Sequence, residues 1–600
     1  MVKYIQTKLL NNYRFYFIKF NPLPPGYSLP NEILLVVKIT KKDGSGGILM
    51  DIEIKMPALS DTMKSGRITK WYVEEGQYVE KGACLCDVAV NKMSFEVYSD
   101  YEGIISKIVC PAGTTVEPGN IIAIITQSEE VKPSETQKEI KYEYKEYDLA
   151  VIGAGPGGYV AAIKAAKKGA KVALFEKDKL GGTCLNRGCI PTKAYARIAE
   201  VYDILKRAGE FGFDVKVNSF DYTQVVKRKD DIVGELVEGI NALLKANGVD
   251  VFNAEAKVDK EKNVLFGENK IKAKNIIIAT GSSPAELPIE GINSKNVMNS
   301  DTILEMTSLP QSLCIIGGGV IGMEFAFIMN QFGVKVSVVE MMPDILPTLD
   351  KEISSFIRAV AQRRGIKIYT SSTVERIDEE ENGGSIVSVK NGENIKHIYA
   401  DKVFVSIGRK LNTDIGPIVE LLEFEGRAIK VDEHMRTNLE GVYAIGDVTG
   451  KMMLAHVASA QGEVAVDNIF GEQSILDYAK IPAAVFTEPE IGYFGYTEEE
   501  ARKKFNDIKV GRFNFEHNGR AKTYGETEGF AKVISNEKGE VVGAWVVGSG
   551  ASELIHILST ACQEGVDAEA LKKVVYAHPT RSETIMEAVK DIFGESIHKV

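Results

Sequence analysis

Gly153-Ala154-Gly155-Pro156-Gly157-Gly158 stands between a short apolar run, Tyr147 to Val151, and a helical Ala/Lys run that ends at Lys168. A second apolar run, Val172-Ala173-Leu174-Phe175, follows and closes on Glu176, 23 residues past Gly153. Strand, glycine turn, helix, strand and acid in this order predict a βαβ unit. The glycines permit a tight turn and bring backbone N–H groups close to a pyrophosphate at a helix N-terminus. The acid is placed to accept from ribose hydroxyls. Gly153, Gly155, Gly158 and Glu176 are the candidate residues of a first dinucleotide site.

The pattern recurs downstream. Leu313-Cys314-Ile315-Ile316 reads as a strand, Gly317-Gly318-Gly319-Val320-Ile321-Gly322 opens a helix, and Val336 to Val339 ends on Glu340, again 23 residues past the first glycine. Gly317, Gly319, Gly322 and Glu340 form the second candidate site. A carboxylate at position 340 accepts from a ribose 2′-hydroxyl and repels a 2′-phosphate, and Met341 and Met342 offer no arginine, so NAD is expected rather than NADP. Two complete fingerprints imply two dinucleotides in one chain.

Directly after the first fingerprint comes Gly181-Gly182-Thr183-Cys184-Leu185-Asn186-Arg187-Gly188-Cys189-Ile190-Pro191-Thr192-Lys193. Four residues separate the cysteines, one helical turn plus a little, so the sulfurs could meet across a helix start. Pro191 suits a first helical turn. A thiol there feels the positive end of the helix dipole and its pKa falls, which suits opening and closing a disulfide near neutral pH.

The 600 residues suffice for about four domains. A formal net charge of −11 argues against nucleic acid as a partner. Seven cysteines, an odd number in a long chain, do not make a secreted disulfide framework. The longest apolar runs, such as Ile33 to Val37, are too short to span a bilayer. Residues 1–49 carry seven Lys/Arg against Glu32 and Asp43 and read as an extension with no fold of its own, the alternative being a basic docking arm.

From Glu53 to Thr126 the chain repeats itself. Gly66, Ile68, Val73, Gly76, Val79 and Gly82 recur 37 residues later as Gly103, Ile105, Cys110, Gly113, Val116 and Gly119. Alternating apolar residues between regular glycines predict short strands and tight turns, and two similar halves predict a pseudo-two-fold β-sandwich. Lys92 falls next to the midpoint of the repeat, at an expected hairpin tip. Residues 51–127, with Met56-Pro57-Ala58-Leu59 and Gly66-x-Ile68-x-x-Trp71, resemble the lipoyl domains, and Lys92 then matches the lysine that carries lipoic acid. Asn91 departs from the acid that family often places there, and a biotin carrier, which has Met on both sides of its lysine, is the alternative. Residues 128–146 are polar, contain Pro133 and read as a mobile linker for a tethered carrier.

Gly153 to Lys193 resembles the pyridine nucleotide–disulfide oxidoreductases of the class with FAD, whose members include dihydrolipoamide dehydrogenases. The resemblance implies that Cys184 exchanges with a substrate dithiol and that Cys189 faces the flavin, with Lys193 beside it and Glu324 paired to Lys193. Gly182, Thr183, Thr280 and Gly281, Asp447 and Ala455 match the family's remaining FAD contacts, and Gly408 a nicotinamide-side turn. His578-Pro579-Thr580-Arg581-Ser582-Glu583 matches a histidine–carboxylate dyad that serves the other subunit's active site, with Arg581 where the family often has Ser. His456 has no chemistry of its own in this reading.

The fold class expected is α/β: two Rossmann-like dinucleotide-binding domains plus an α+β dimerisation domain, preceded by an all-β lipoyl sandwich. The domains are an unassigned extension 1–50, a lipoyl domain 51–127, a linker 128–146, an FAD domain 147–296 completed by 410–478, an NAD domain 297–409 and a dimerisation domain 479–600. The resemblance implies oxidation of protein-bound dihydrolipoyl groups with FAD and NAD, a cytoplasmic homodimer, and E1- and E2-type partners of a 2-oxoacid, acetoin or glycine-cleavage complex. No metal is implied. The rivals are another NADH-dependent disulfide reductase of the family, or a lipoyl carrier with little turnover. Glu340 disfavours a glutathione reductase, and Glu595 to Val600, without a cysteine pair, a mercuric reductase.

Overall fold

The computed structural model describes residues 2–10, 13–20, 37–42, 48–57, 65–90, 93–128, 146–381 and 383–599. The chain divides into two compact units, Met1–Ile140 and Lys141–Val600.

In the first unit the 37-residue repeat becomes a sandwich of two sheets. Strands Gly66–Trp71 and Gly103–Ile108 share one burial pattern and lie in different sheets. Ile68 and Ile105 are fully buried, as are Leu85, Val88 and Ile122 between them. The halves interlock through matched hydrogen bonds: the Gly76 N–H donates to the Ile105 carbonyl at 2.7 Å, and the Gly113 N–H donates to the Ile68 carbonyl at 2.7 Å. Gly76 and Gly113 have φ of 91° and 94°, the left-handed region that glycine enters at no steric cost. Strands Cys84–Val90 and Met93–Tyr98 pair down to Val90↔Met93. Lys92 itself lies outside the described residues.

Positions 1–49 depart from the expected foldless extension. Strands Val2–Leu10, Tyr13–Phe20 and Val37–Lys42 continue the sheet that contains Ile48–Lys55. Tyr13-Arg14-Phe15-Tyr16-Phe17-Ile18 is dense in aromatic and β-branched residues, and a sheet edge offers their backbone groups partners.

The second unit opens on the predicted βαβ unit. Strand Glu146–Ile152 leads into helix α1 (Pro156–Lys167) and strand Val172–Glu176, which pairs parallel to the first. Leu149 to Ile152 are all buried, as expected of a parallel strand covered on both faces. Helices α2 (Gly182–Arg187), α3 (Cys189–Lys206) and α4 (Tyr222–Ala246) follow. A second parallel sheet holds Ser312–Ile316 and Lys335–Val339, with α5 (Val320–Gln331) between them and α6 (Lys351–Arg363) after. The chain then returns to the first sheet, where Val442–Ala444 pairs with Asn269–Ile278 ahead of α7 (Ala455–Ile469).

The C-terminal part is a five-stranded antiparallel sheet with α8 (Glu498–Lys504), α9 (Gly519–Tyr524), α10 (Ala551–Gln563), α11 (Ala568–Leu571) and α12 (Glu583–Asp591). Its alternation separates two cores rather than core from water. Phe530, Ile534, Trp545 and Val547 join the apolar cluster of the second nucleotide domain, while Ala531, Val533, Ala544 and Val546 pack with Ile555 of α10 and Ile585 of α12. A buried ionic group ties the same junction. Lys532, 2 % exposed, meets Asp350 at 3.2 Å, Glu352 at 3.2 Å and Glu498 at 2.8 Å.

Candidate active site

The two glycine fingerprints fold alike. A Cβ on Gly158 would lie 1.8 Å from the Gly153 carbonyl oxygen, and one on Gly322 would lie 2.0 Å from that of Gly317, so only glycine lets each helix reach its strand. Gly155 and Gly319, the helix N-caps, have open space before them. Pro156 takes the first position of α1, where its missing N–H costs nothing.

The fingerprint acids act on their own loops, which spacing alone does not reveal. Glu176 accepts from the Ala154 N–H at 2.8 Å and the Asp178 N–H at 3.0 Å. Glu340 accepts from the Gly318 N–H at 2.7 Å and the Met342 N–H at 2.7 Å. Each carboxylate oxygen keeps a lone pair, and both acids line the cavity described below, so hydroxyl recognition is still open to them. Burial pushes the Glu176 carboxyl up, against the pull of the Ala154 N–H.

One cavity of about 1750 Å³ joins both loops. It is lined by Cys184, Cys189, Lys193 and Glu324, and also by Thr280, Asp447 and Gly408. Asp447 accepts from the Ser282 hydroxyl at 2.5 Å, and Arg409 donates to the same hydroxyl at 2.6 Å. Ser282 and Arg409 were missed in the sequence, although each directly follows a glycine singled out there, Gly281 and Gly408. Gly322 packs beneath the loop and does not line the cavity.

The cysteines sit where two helices abut. Cys184 lies within α2, Gly188 ends that helix, and Cys189 is the first residue of α3. The Asn186 amide donates to the Leu180 and Gly182 carbonyls at 2.9 and 3.0 Å and fixes the turn. Both cysteines are thiols here. The hydrogen bond from Cys184 and the charge of Lys193 hold the Cys189 thiol down to about 7 despite its burial. Cys184, which gives that hydrogen bond, is pushed up. The pair is therefore a thiol beside a ready thiolate.

Lys193 donates to both Glu324 oxygens at 3.1 Å, and its ammonium lies 4.3 Å from the Phe486 ring centre. Glu324 is 5 % exposed and also accepts from the Phe486 N–H at 2.9 Å. Such a buried carboxylate persists because it is paired and hydrogen-bonded. His456, exposed at the cavity edge, meets the Pro482 carbonyl at 2.7 Å.

The dyad forms as well. His578 Nδ1 lies 3.0 Å from Glu583 Oε1, and the Thr580 N–H donates to the other oxygen at 2.8 Å. It does not line the cavity of its own chain, and the His578 side chain is 78 % exposed.

Residues 147–462 match the pyridine nucleotide-disulphide oxidoreductase family, more than half of the chain. The chain belongs to this family. Residues 481–589 match the dimerisation domain of the pyridine nucleotide-disulphide oxidoreductases, which supports a homodimer, and residues 52–125 match the biotin-requiring enzyme family. The chain is 40 % identical over 463 residues to a dihydrolipoyl dehydrogenase of Bacillus subtilis, covering 76 % of this chain and 98 % of that protein. It is 39 % identical over 460 residues to a dihydrolipoyl dehydrogenase of Chlamydia pneumoniae, covering 76 % and 98 %. Among solved structures it is similar to LpdA of Mycobacterium tuberculosis, with TM-score 0.69 and 26 % identity over 74 % of this chain and 98 % of that one. It is also similar to the flavoprotein disulfide reductase RclA of Escherichia coli, with TM-score 0.66 and 28 % identity over 74 % and 99 %.

The family's cofactors are FAD and NAD, and the N-terminal module adds covalent lipoate. The residues fit them. Each fingerprint offers an open helix N-terminus for a pyrophosphate and a latched acid beside it, and the cavity joins both to the dithiol. Among the described residues no helix is long and apolar enough to cross a membrane.

Proposed function

We propose that the chain is a dihydrolipoyl dehydrogenase with its own lipoyl module, the E3-type component of a cytoplasmic 2-oxoacid, acetoin or glycine-cleavage complex with E1- and E2-type partners. One observation carries the reading: a dithiol at the head of α3, in the same cavity as both fingerprint loops.

From the oxidised state, a dihydrolipoyl thiolate attacks Cys184 of the Cys184–Cys189 disulfide. The Cys184–substrate bond forms, the Cys184–Cys189 bond breaks, and the electron pair leaves on Cys189. The position of Cys189 at the helix N-terminus and the Lys193 charge favour that leaving thiolate. The second substrate thiol then displaces Cys184 and closes the lipoyl disulfide, and Cys184 leaves as the thiol. A dihydrolipoyl group must lose a proton at each attack. His578 of the second copy takes the first proton, returns it to Cys184 as that sulfur leaves, and holds the second, while Glu583 fixes the tautomer and stabilises the imidazolium. The exposure of His578 in a single chain accords with a site completed by dimerisation. Gly153, Gly155, Glu176, Thr280 and Asp447 would hold FAD, and Gly317, Gly319 and Glu340 would hold NAD; when bound, these would supply the electron and hydride acceptors the dithiol needs. Glu324 holds the Lys193 ammonium in place beside the cysteines. Lys92 carries the lipoyl group.

The test is NADH formation from free dihydrolipoamide and NAD+ under anaerobic conditions, with Cys184→Ser and Lys92→Arg proteins alongside. Activity lost with Cys184→Ser and kept with Lys92→Arg supports the chemistry and assigns Lys92 to delivery. An FAD-loaded wild type that makes no NADH refutes the reading.

A further inference from the structure

The His578 side chain is exposed, so its place is set by the loop that carries it and by Glu583, not by packing around the ring. Glu583 is the first residue of α12, and the Thr580 N–H holds its second oxygen at 2.8 Å. Thr580 is in turn fixed twice. Its hydroxyl donates to the Ala577 carbonyl at 2.8 Å, and its carbonyl accepts from the Asn518 amide at 3.0 Å. The same Asn518 amide meets the Thr584 hydroxyl at 3.0 Å, on the residue after Glu583. Asn518 therefore holds the chain on either side of the carboxylate.

Asn518 lies 62 residues upstream of Thr580 and is only 4 % exposed. It caps α9, where its side-chain oxygen accepts from the Ala521 N–H at 2.9 Å. That N–H needs an acceptor and the Thr580 carbonyl needs a donor, so one orientation of the amide satisfies both. The other end of α9 grips the same loop. Arg581 pairs with Glu526, and its guanidinium lies 4.3 Å from the Tyr524 ring centre. Ala521 of α9 and Ile585 of α12 are fully buried in one apolar core, which makes α9 a fixed seat for the loop.

We propose that Asn518 is a positioning residue for the proton transfer: by holding Thr580 and Thr584 it aims Glu583, and through Glu583 it aims His578 at the site of the second copy. This rests on the reading of His578 as the base. An exposed imidazole is free to swing, whereas a base must meet its proton within hydrogen-bond reach. Without the Thr580 tie, the N–H that holds Glu583 drifts and the imidazole loses its fixed direction. The loss falls on kcat for dihydrolipoamide rather than on its KM, because the base acts in the transition state.

The experiment compares dimeric, FAD-loaded, full-chain Asn518→Asp and Asn518→Ser proteins with the wild type. Both replacements still cap α9. Aspartate has no donor for the Thr580 carbonyl, and serine is too short to hold Thr580 and Thr584 together. Serine adds no buried charge, so it keeps the fold where aspartate does not, and flavin content and dimer mass check assembly. Two turnovers are measured: dihydrolipoamide with NAD+, which needs the base, and NADH with ferricyanide, which draws no proton from a dithiol. The first is expected to lose about 10- to 100-fold in kcat with KM within about twofold, and the second to stay at the wild-type rate. In a His578→Gln background Asn518→Ser is expected to cost nothing further, since no base is left to aim. Equal losses in both turnovers, an unchanged kcat, or full additivity with His578→Gln overturns the proposal and leaves Asn518 a helix cap. A His578→Gln protein of undiminished dihydrolipoamide turnover overturns instead the assignment of the base.

Discussion

Replacing Lys193 by methionine and Glu324 by glutamine is expected to move the Cys189 thiol in opposite directions. Lys193 lies four residues after Cys189 on α3, so their side chains share one face at about 6 Å. At an effective dielectric constant of about 20, a unit charge at that distance contributes about 3 kcal/mol, roughly two pKa units. Lys193→Met removes that charge and also leaves Glu324 unpaired, so the thiol rises from about 7 to roughly 9. Glu324→Gln removes the anion that opposes the thiolate from beyond the ammonium, and the thiol falls by about one unit. The assay is the rate of Cys189 alkylation by iodoacetamide against pH in the reduced proteins, read by peptide mass so that Cys184 is counted separately. The reasoning fails if both variants shift the same way or neither shifts. The stability of the reduced protein follows from the same numbers. The folded pKa lies below the ordinary thiol value of 9.0, so the contribution of Cys189 is full above about 9 and is lost as pH falls through about 7. Melting of the reduced form therefore gains between those values, and the disulfide form does not share the gain.

Three further outcomes are expected. Lys532→Ala strips the cation from buried Asp350, and breaking such a pair costs about 3–5 kcal/mol, measurable as a lower denaturation midpoint of the flavoprotein. Glu340→Gln cannot accept both the Gly318 and Met342 N–H groups as an anion, so KM for NAD+ rises while flavin content stays at the wild-type level; unchanged KM would mean that the loop holds without its latch. His578→Gln lowers kcat for dihydrolipoamide by about 10²–10⁴-fold, and a mixed dimer with Cys184→Ser recovers part of the activity if the base comes from the second copy, because one site is then complete and the other lacks both groups.

The two fingerprints and the dithiol were legible because their chemistry lies within some thirty residues of contiguous chain. Periodic glycines and apolar runs fix the turn, the helix start and the next strand locally. What escaped the sequence is non-local. Asp447 meets Ser282 across 165 residues, and Arg409 meets Ser282 across 127. The pairing of Lys532 with Asp350 spans 182 residues and joins two domains, each of which has an ordinary pattern by itself. The acids at 176 and 340 were found, yet their grip on their own loops was not, because a spacing of 23 residues fits a latch and a ribose acceptor equally well. The strands before position 49 were hidden by a basic composition that reads as solvated chain, whereas their sheet partners lie in the neighbouring module.

The crossed glycine bonds of the N-terminal module decide how it comes apart. Each half closes its turn on a carbonyl that belongs to the other half, Gly76 on Ile105 and Gly113 on Ile68. Neither half has a complete set of partners alone, so a nick or an unfolding event in one releases donors and acceptors in both. The module melts as a single bead, with no half-folded form to expose its isoleucines.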